Sequence, residues 1–222
     1  MRIRFLALAV LSTLLLVAGP ASADFSFQFT DQNGNTVPSN AFTVAQGSSV
    51  NVNLYLTQSN GETRLSSPGM ISAGVALSYN KSIANTTAVT GNSSFDQQSP
   101  SGVGTSKAAI NESIVSNPAV TAPTTGANAN RIFLGQFTFQ GVTPGTTSLQ
   151  TSTPHAGSMP PIADNVLNDS PTFTSIDSLI ANASATITVT AVPEPGSMIL
   201  CTIAASACAF AAWRRRHPAK PA

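Results

Sequence analysis

The chain has 222 residues, of which 42% are hydrophobic, 9% charged and 6% aromatic, with a formal net charge of +1. That charge belongs to the ends: between residues 24 and 192, Arg64, Lys81, Lys107 and Arg131 face eight carboxylates, a net of −4. No basic patch is left for a phosphate backbone, so nucleic acid is excluded as a partner. Both cysteines, Cys201 and Cys208, lie near the C-terminus, which excludes a disulfide framework or cysteine metal site in the body of the chain.

Residues 1–23 read as a secretory signal peptide. Arg2 and Arg4 form a charged start, Phe5 to Ala18 an apolar core, and Ala21-Ser22-Ala23 a small-x-small cleavage site. The expected handlers are the Sec translocon and signal peptidase, leaving Asp24 as the mature N-terminus.

Short apolar alternations then recur between turn residues. Phe25, Phe27 and Phe29 alternate with Ser26 and Gln28, a half-buried strand. Asp31-Gln-Asn-Gly34 follows as a hairpin turn, with Phe42 to Ala45 as the returning strand. Val50, Val52, Leu54 and Leu56 alternate with Asn51, Asn53 and Tyr55, the clearest period of two in the chain. Ile71 to Tyr79 forms a third strand, and Ile132 to Phe139, apolar on both faces, suits a central one. Thr146–Thr151 and Ala185–Thr190 complete the set. Ala108–Val115 and Phe173–Ile180 each have the spacing for a short helix, through Ile110/Ile114 and Phe173/Ile176/Ile180.

Many short strands with Gly and Pro turns predict an all-β fold, a two-sheet antiparallel sandwich over 24–192. Leu54, Val75 and Phe137 should point between the sheets and Asn53 toward solvent. The connection from Ser152 to Thr172, rich in proline, lacks periodicity and is expected to form a ligand- or partner-contacting edge. Shortening 153–170 should then leave stability nearly unchanged.

Little in this domain suggests catalysis. His155 is its one histidine, set in a Pro- and Gly-rich stretch as a solvated loop residue, and no Gly-x-Ser-x-Gly elbow frames a nucleophile. The only tryptophan is Trp213, so a sugar-stacking platform is missing unless Tyr55 and Tyr79 supply it. Asp31, Asn33 and Asn35 have the first oxygen spacings of a calcium loop, but Thr36 and Phe42 stand where glycine and glutamate are required. No catalytic residue, metal ligand or cofactor is expected.

The end of the chain is the most informative stretch. Val192-Pro193-Glu194-Pro195-Gly196 precedes an uncharged, mostly apolar run, Met198 to Trp213, and then Arg214-Arg215-Arg216. At ~1.5 Å per residue the run reaches roughly 24 Å, the short end of a bilayer span. A transmembrane helix over about 197–213 with a cytoplasmic basic tail, 214–222, follows from the positive-inside rule.

These residues resemble the PEP-CTERM sorting signal of Gram-negative and related bacteria: a Pro-Glu-Pro motif, one hydrophobic helix and a basic terminus. The resemblance implies recognition by an exosortase, a membrane-embedded cysteine transpeptidase that cuts near the motif. It covers 193–222 with its flank and implies an inner-membrane intermediate, then a surface or extracellular protein. A second resemblance covers about 47–150. Gly47-Ser-Ser-Val50-Asn-Val52, Leu77-Ser-Tyr79-Asn80, Phe137-Thr-Phe139 and Pro144-Gly145 are similar to the strand patterns of cohesin-type and related carbohydrate-binding-module sandwiches. Asn80 stands where the commonest form has Asp. The leading expectation is an exported, exosortase-processed surface or matrix protein with a structural or adhesive, non-catalytic sandwich. The alternative is a carbohydrate- or protein-binding module, with extracellular polysaccharide among its partners. A secreted hydrolase is a remote third.

Overall fold

The computed structural model describes residues 24–216 apart from 60, 117, 160, 161 and 194. The signal peptide with Ala21 and Ala23, and Glu194 of the tail motif, lie outside the described residues. Among the described residues twelve strands form: β1 (Phe25–Thr30), β2 (Ala41–Ala45), β3 (Ser49–Gln58), β4 (Met70–Ser78), β5 (Ala84–Gly91) and β6 (Gln97–Ser101), then β7 (Lys107–Ser113), β8 (Arg131–Gly141), β9 (Gly145–Ser152), β10 (Val166–Leu167), β11 (Ile180–Ala181) and β12 (Ser184–Thr190). One helix, α1, runs from Pro195 to Arg216.

The strands make two sheets, one in the order β11-β1-β3-β8-β5 and the other β2-β12-β9-β4-β7-β6, with β10 beside β4. The sandwich is as expected, but the sheets are mixed rather than purely antiparallel. β1 runs parallel to β11 and β2 parallel to β12. The cause lies in the turn after β1. The chain does turn at Asp31–Asn35, bridging Thr30 to Thr36. It then crosses to the other sheet, so β2 joins the last strand instead of returning along the first.

Alternation places one face of each strand in the shared core. Phe25, Phe27 and Phe29 of β1 are buried with Val52, Leu54 and Leu56 of β3, opposite Val75 and Leu77 of β4 and Ile110 of β7. Leu54, Val75 and Phe137 are all wholly buried. Asn53 is a correction: it sits on the outer face, yet only 6% of it is exposed. β3 is a central strand, and Gln136 on β8 lies across Asn53, donating from Nε2 to its Oδ1 at 2.9 Å.

The two apolar faces of β8 have a specific cause. Leu54 pairs with Gly135 and Tyr55 with Phe133, so Leu134 is an extra residue in a β-bulge. The bulge shifts the phase and brings Phe137 and Phe139 onto the same inner face as Ile132. Gly135 is required there: a Cβ would collide with the Ile110 side chain and the Thr90 carbonyl.

Neither short helix forms. Residues 107–113 are strand β7, because Ile110 and Ile114 are an even number apart and share a strand face as readily as a helix face. Within 173–180 there is a single 3-10 turn, Asp177–Leu179.

Candidate functional site: the loop end of the sandwich

The segment after β9 is not a free connection. Residues 165–167 pair with 174–176, through Leu167 N–H to Thr174 O (3.0 Å) and Ile176 N–H to Asn165 O (2.9 Å). β10 in turn pairs with Met70 and Ser72 of β4. Leu167 and Ile176 are both buried. Asn165, wholly buried, acts as a peptide surrogate against β4. Its Oδ1 accepts from Gly74 N–H and its Nδ2 donates to Gly74 O, both at 3.1 Å. Removing 153–170 would delete Asp164, Asn165 and Leu167, so the expectation that this loop can be cut without loss of stability is overturned.

Two carboxylates lock the loop. Asp177 accepts from the backbone N–H groups of Asp164 (2.8 Å) and Asn165 (3.0 Å) and from Asn165 Nδ2 (2.8 Å). Asp164 has its side chain 2% exposed and accepts the His155 backbone N–H at 2.9 Å. Its other oxygen lies 2.5 Å from His155 Nδ1. Ser72 of β4 donates to Asp164 O at 2.7 Å. His155 is therefore not simply a solvated loop side chain. Asp164 fixes the half-exposed ring through Nδ1, which leaves Nε2 as the ring nitrogen that Asp164 does not hold.

The loop also starts from a fixed point. Pro154 lies over Gly74, where a Cβ would stand 3.1 Å from the proline ring and 2.8 Å from Asn111 Oδ1. Lys107 Nζ donates to Pro154 O at 3.4 Å. Two adjoining open depressions, about 260 and 490 Å³, share His155, Ile162 and Ala163 as their dividing wall. The first is floored by Ser72, Asn111 and Ser113 with Gln97 and Ser99, from three neighbouring strands. The second is lined by Thr153, Ser158, Ser175 and Asp177 among others.

The other sequence candidates fall elsewhere. Tyr55 and Tyr79 are each 7% exposed, so neither offers a ring face for stacking sugars. Tyr79 packs edge-on against Phe139 at 5.0 Å and bonds Thr86 through its hydroxyl; burial raises its pKa, which the Thr86 contact partly offsets. Tyr55 lies beneath the Arg131 guanidinium, 4.3 Å from the ring centre. Arg131 also donates to Gly34 O (2.8 Å), Asn128 Oδ1 (2.7 Å) and Gln28 Oε1 (3.2 Å), tying the first turn to the loop before β8. The Asp31 carboxylate accepts from Asn35 and Asn33 N–H at 2.9 and 2.8 Å, and the Asn35 bonds hold its pKa down. Its oxygens serve the turn, and among the described residues no group of three His, Cys, Asp or Glu side chains could hold a metal ion.

The tail residues stand apart from this site. Asp24 opens the domain and pairs with Arg64 Nη2 at 2.8 Å. Val192 and Pro193 are exposed, and α1 starts at Pro195, two residues before the expected 197; proline suits a first helical turn, where its missing N–H has no partner to lose. Arg214, Arg215 and Arg216 are its last residues. Described side chains from Leu200 to Ala209 are exposed, and none contributes to the core. Among the described residues no helix is long and apolar enough to cross a membrane, so α1 does not establish the crossing expected for 197–213.

No family model matches the chain, and no curated protein does. Solved structures do. A cohesin module from a family 33 glycoside hydrolase of Clostridium perfringens aligns at 13% identity and a TM-score of 0.50, over 77% of this chain and 99% of that module. The seventh ScaB type I cohesin of Pseudobacteroides cellulosolvens aligns at 13% identity and a TM-score of 0.49, over 77% and 95%. The fold is a cohesin-like β-sandwich.

Proposed function

We propose that this chain is an exported, non-catalytic binding module, a cohesin-like sandwich that engages a partner at the cell surface or in the extracellular matrix. The observation that carries the reading is the rigid mounting of the loop end. Asp164 and Asp177 are saturated by N–H donors of their own loop, so they position backbone rather than stand ready for proton transfer. A fold that also serves as cohesin modules supports an adhesive role. Among the described residues the core draws only on Phe25 to Val189, so residues 24–192 can be tested by themselves. Immobilised, they should capture a protein or polysaccharide from the host's surface fraction and bind it saturably once repurified. Failure to bind any surface component would sink the reading.

Delivery is the second part of the proposal. The signal peptide and the Pro193-Glu194-Pro195 tail support export through the Sec translocon, a membrane-held intermediate and cleavage by an exosortase. Surface protein from the native host should then have an intact mass ending near Gly196. Replacing Pro193, Glu194 and Pro195 by alanine should leave membrane association intact and block release, because hydrophobicity drives the former. Surface protein still carrying Arg214–Arg216 would refute exosortase processing.

A further inference from the structure

We infer that the two depressions beside His155 form one groove that binds a neutral, hydroxyl-rich saccharide chain. This rests on the reading of the domain as a binding module and names the ligand class of that module's loop end.

Charge narrows the ligand first. A cation finds no free carboxylate, since Asp164 is committed to His155 and Asp177 to the backbone of 164–165. Glu112 also lines the first depression, but its side chain is buried on the core side of β7 in register with the inward-facing Ala73, its Oε1 accepts the Asn92 N–H, and burial favours its protonated form. An anion finds no guanidinium among the lining residues, and the nearby Lys107 ammonium is tied to Pro154 O. What the groove offers is mostly uncharged hydrogen-bonding groups: the amides of Asn111 and Gln97 and the hydroxyls of Ser72, Ser113 and Ser175, with His155 Nε2 beside them. Such a set exchanges hydrogen bonds with hydroxyl groups, each giving a modest gain.

Shape and composition then argue against a protein. Protein interfaces centre on buried aromatic, Met or Arg anchors. None of the residues lining the groove is of these types, and Ile162 is the one large apolar side chain among them, beside Ala156 and Ala163. Both depressions are open to solvent and share lining residues, so the groove they form admits a chain rather than a single enclosed residue. Its floor side chains stand on β6, β7 and β4, strands repeating every ~4.8 Å, a regular comb of polar groups suited to a repeating polymer. The His155 ring is fixed in advance by Asp164, so little ordering is required on binding.

The test is amide-detected NMR titration of isotopically labelled 24–192 with three neutral hexasaccharides: cellohexaose, mannohexaose and a β-1,3-linked glucose hexamer. At least one should shift signals around Asn111, His155 and Ser175, with a dissociation constant in the ~0.1–10 mM range expected of a few neutral hydrogen bonds. His155→Ala and Asn111→Ala, with spectra otherwise native, should each weaken it about tenfold. No shift with any hexamer overturns the inference. So does saccharide binding that neither variant alters, which moves the site elsewhere on the sandwich but keeps the binding-module reading. Loss of a captured protein partner in His155→Ala, without saccharide binding, would assign the groove to protein and also overturn it. If residues 24–192 bind neither saccharide nor protein, both readings fall together.

Discussion

Truncating Phe137 to alanine should lower the unfolding free energy of residues 24–192 by about 3–5 kcal/mol in chemical denaturation. The ring is wholly buried, registered against Val52 of β3 on one side and Val89 of β5 on the other. It faces the core only because the bulge at Leu134 and Gly135 resets the phase of β8. Phe133 therefore serves as the control. It lies on the outer face against Tyr55, with ring centres 5.3 Å apart, and is partly exposed, so Phe133→Ala should cost clearly less. A loss below about 1 kcal/mol at Phe137, with a larger one at Phe133, would show that the strand faces are exchanged.

The second large effect is a pH dependence centred on Glu112. Its side chain is buried, Oε1 accepts the Asn92 N–H, and Oε2 has no partner. Gly91 has no room for a Cβ against it. Burial pushes its pKa from an ordinary 4.5 to about 8, opposed in part by the Asn92 bond. Between those values the folded protein holds a proton that the unfolded chain releases. The stabilisation is complete below pH 4.5 and is lost as the pH rises through about 8. The slope is at most about 1.4 kcal/mol per pH unit. Asp31 and Asp169 act with the opposite sign and in a different window. Their pKa values are lowered, by the Asn35 backbone N–H and by the Thr174 hydroxyl respectively. Their contribution is therefore present above the usual carboxylate range and fades only in acid. Glu112→Gln should flatten the stability profile between pH 5 and 8 while leaving the acid limb in place. An unchanged slope in that variant would show that another group is responsible.

What could be read from the sequence follows from where each strand sits. β1, β3 and β4 carry large apolar side chains at every second position because one face of each meets the core, and that period is visible without coordinates. β5 and β6, with the sequences Ala84–Gly91 and Gln97–Ser101, lie at sheet edges with mostly small or exposed side chains. They bury too little to leave a pattern. The bulge in β8 was hidden for the converse reason, since apolar residues on both sides of Gly135 mask the phase shift. At the loop end, the length and stiffness of 152–172 marked the place but not the arrangement. His155 and Asp164 meet across nine residues of irregular chain, and the pairing of 165–167 with 174–176 uses backbone bonds that no side-chain period reports. A hint was present in Asp164-Asn165 and Asp177, short side chains that bond backbone N–H groups well and so brace loops.

The parallel seating of β2 on β12 has a mechanical consequence. Tension applied through the C-terminal tail enters the domain at Thr190, the last residue of β12. That strand is hydrogen-bonded along its length on both sides, to β2 from Thr186 to Thr190 and to β9 from Ser184 to Val189. A lengthwise pull cannot peel it off one bond at a time; it must slide between two neighbours and break both ladders together. The N-terminal part of the chain thus acts as a clamp on the strand that leads to the tail, and the fold resists being drawn out by its own tether.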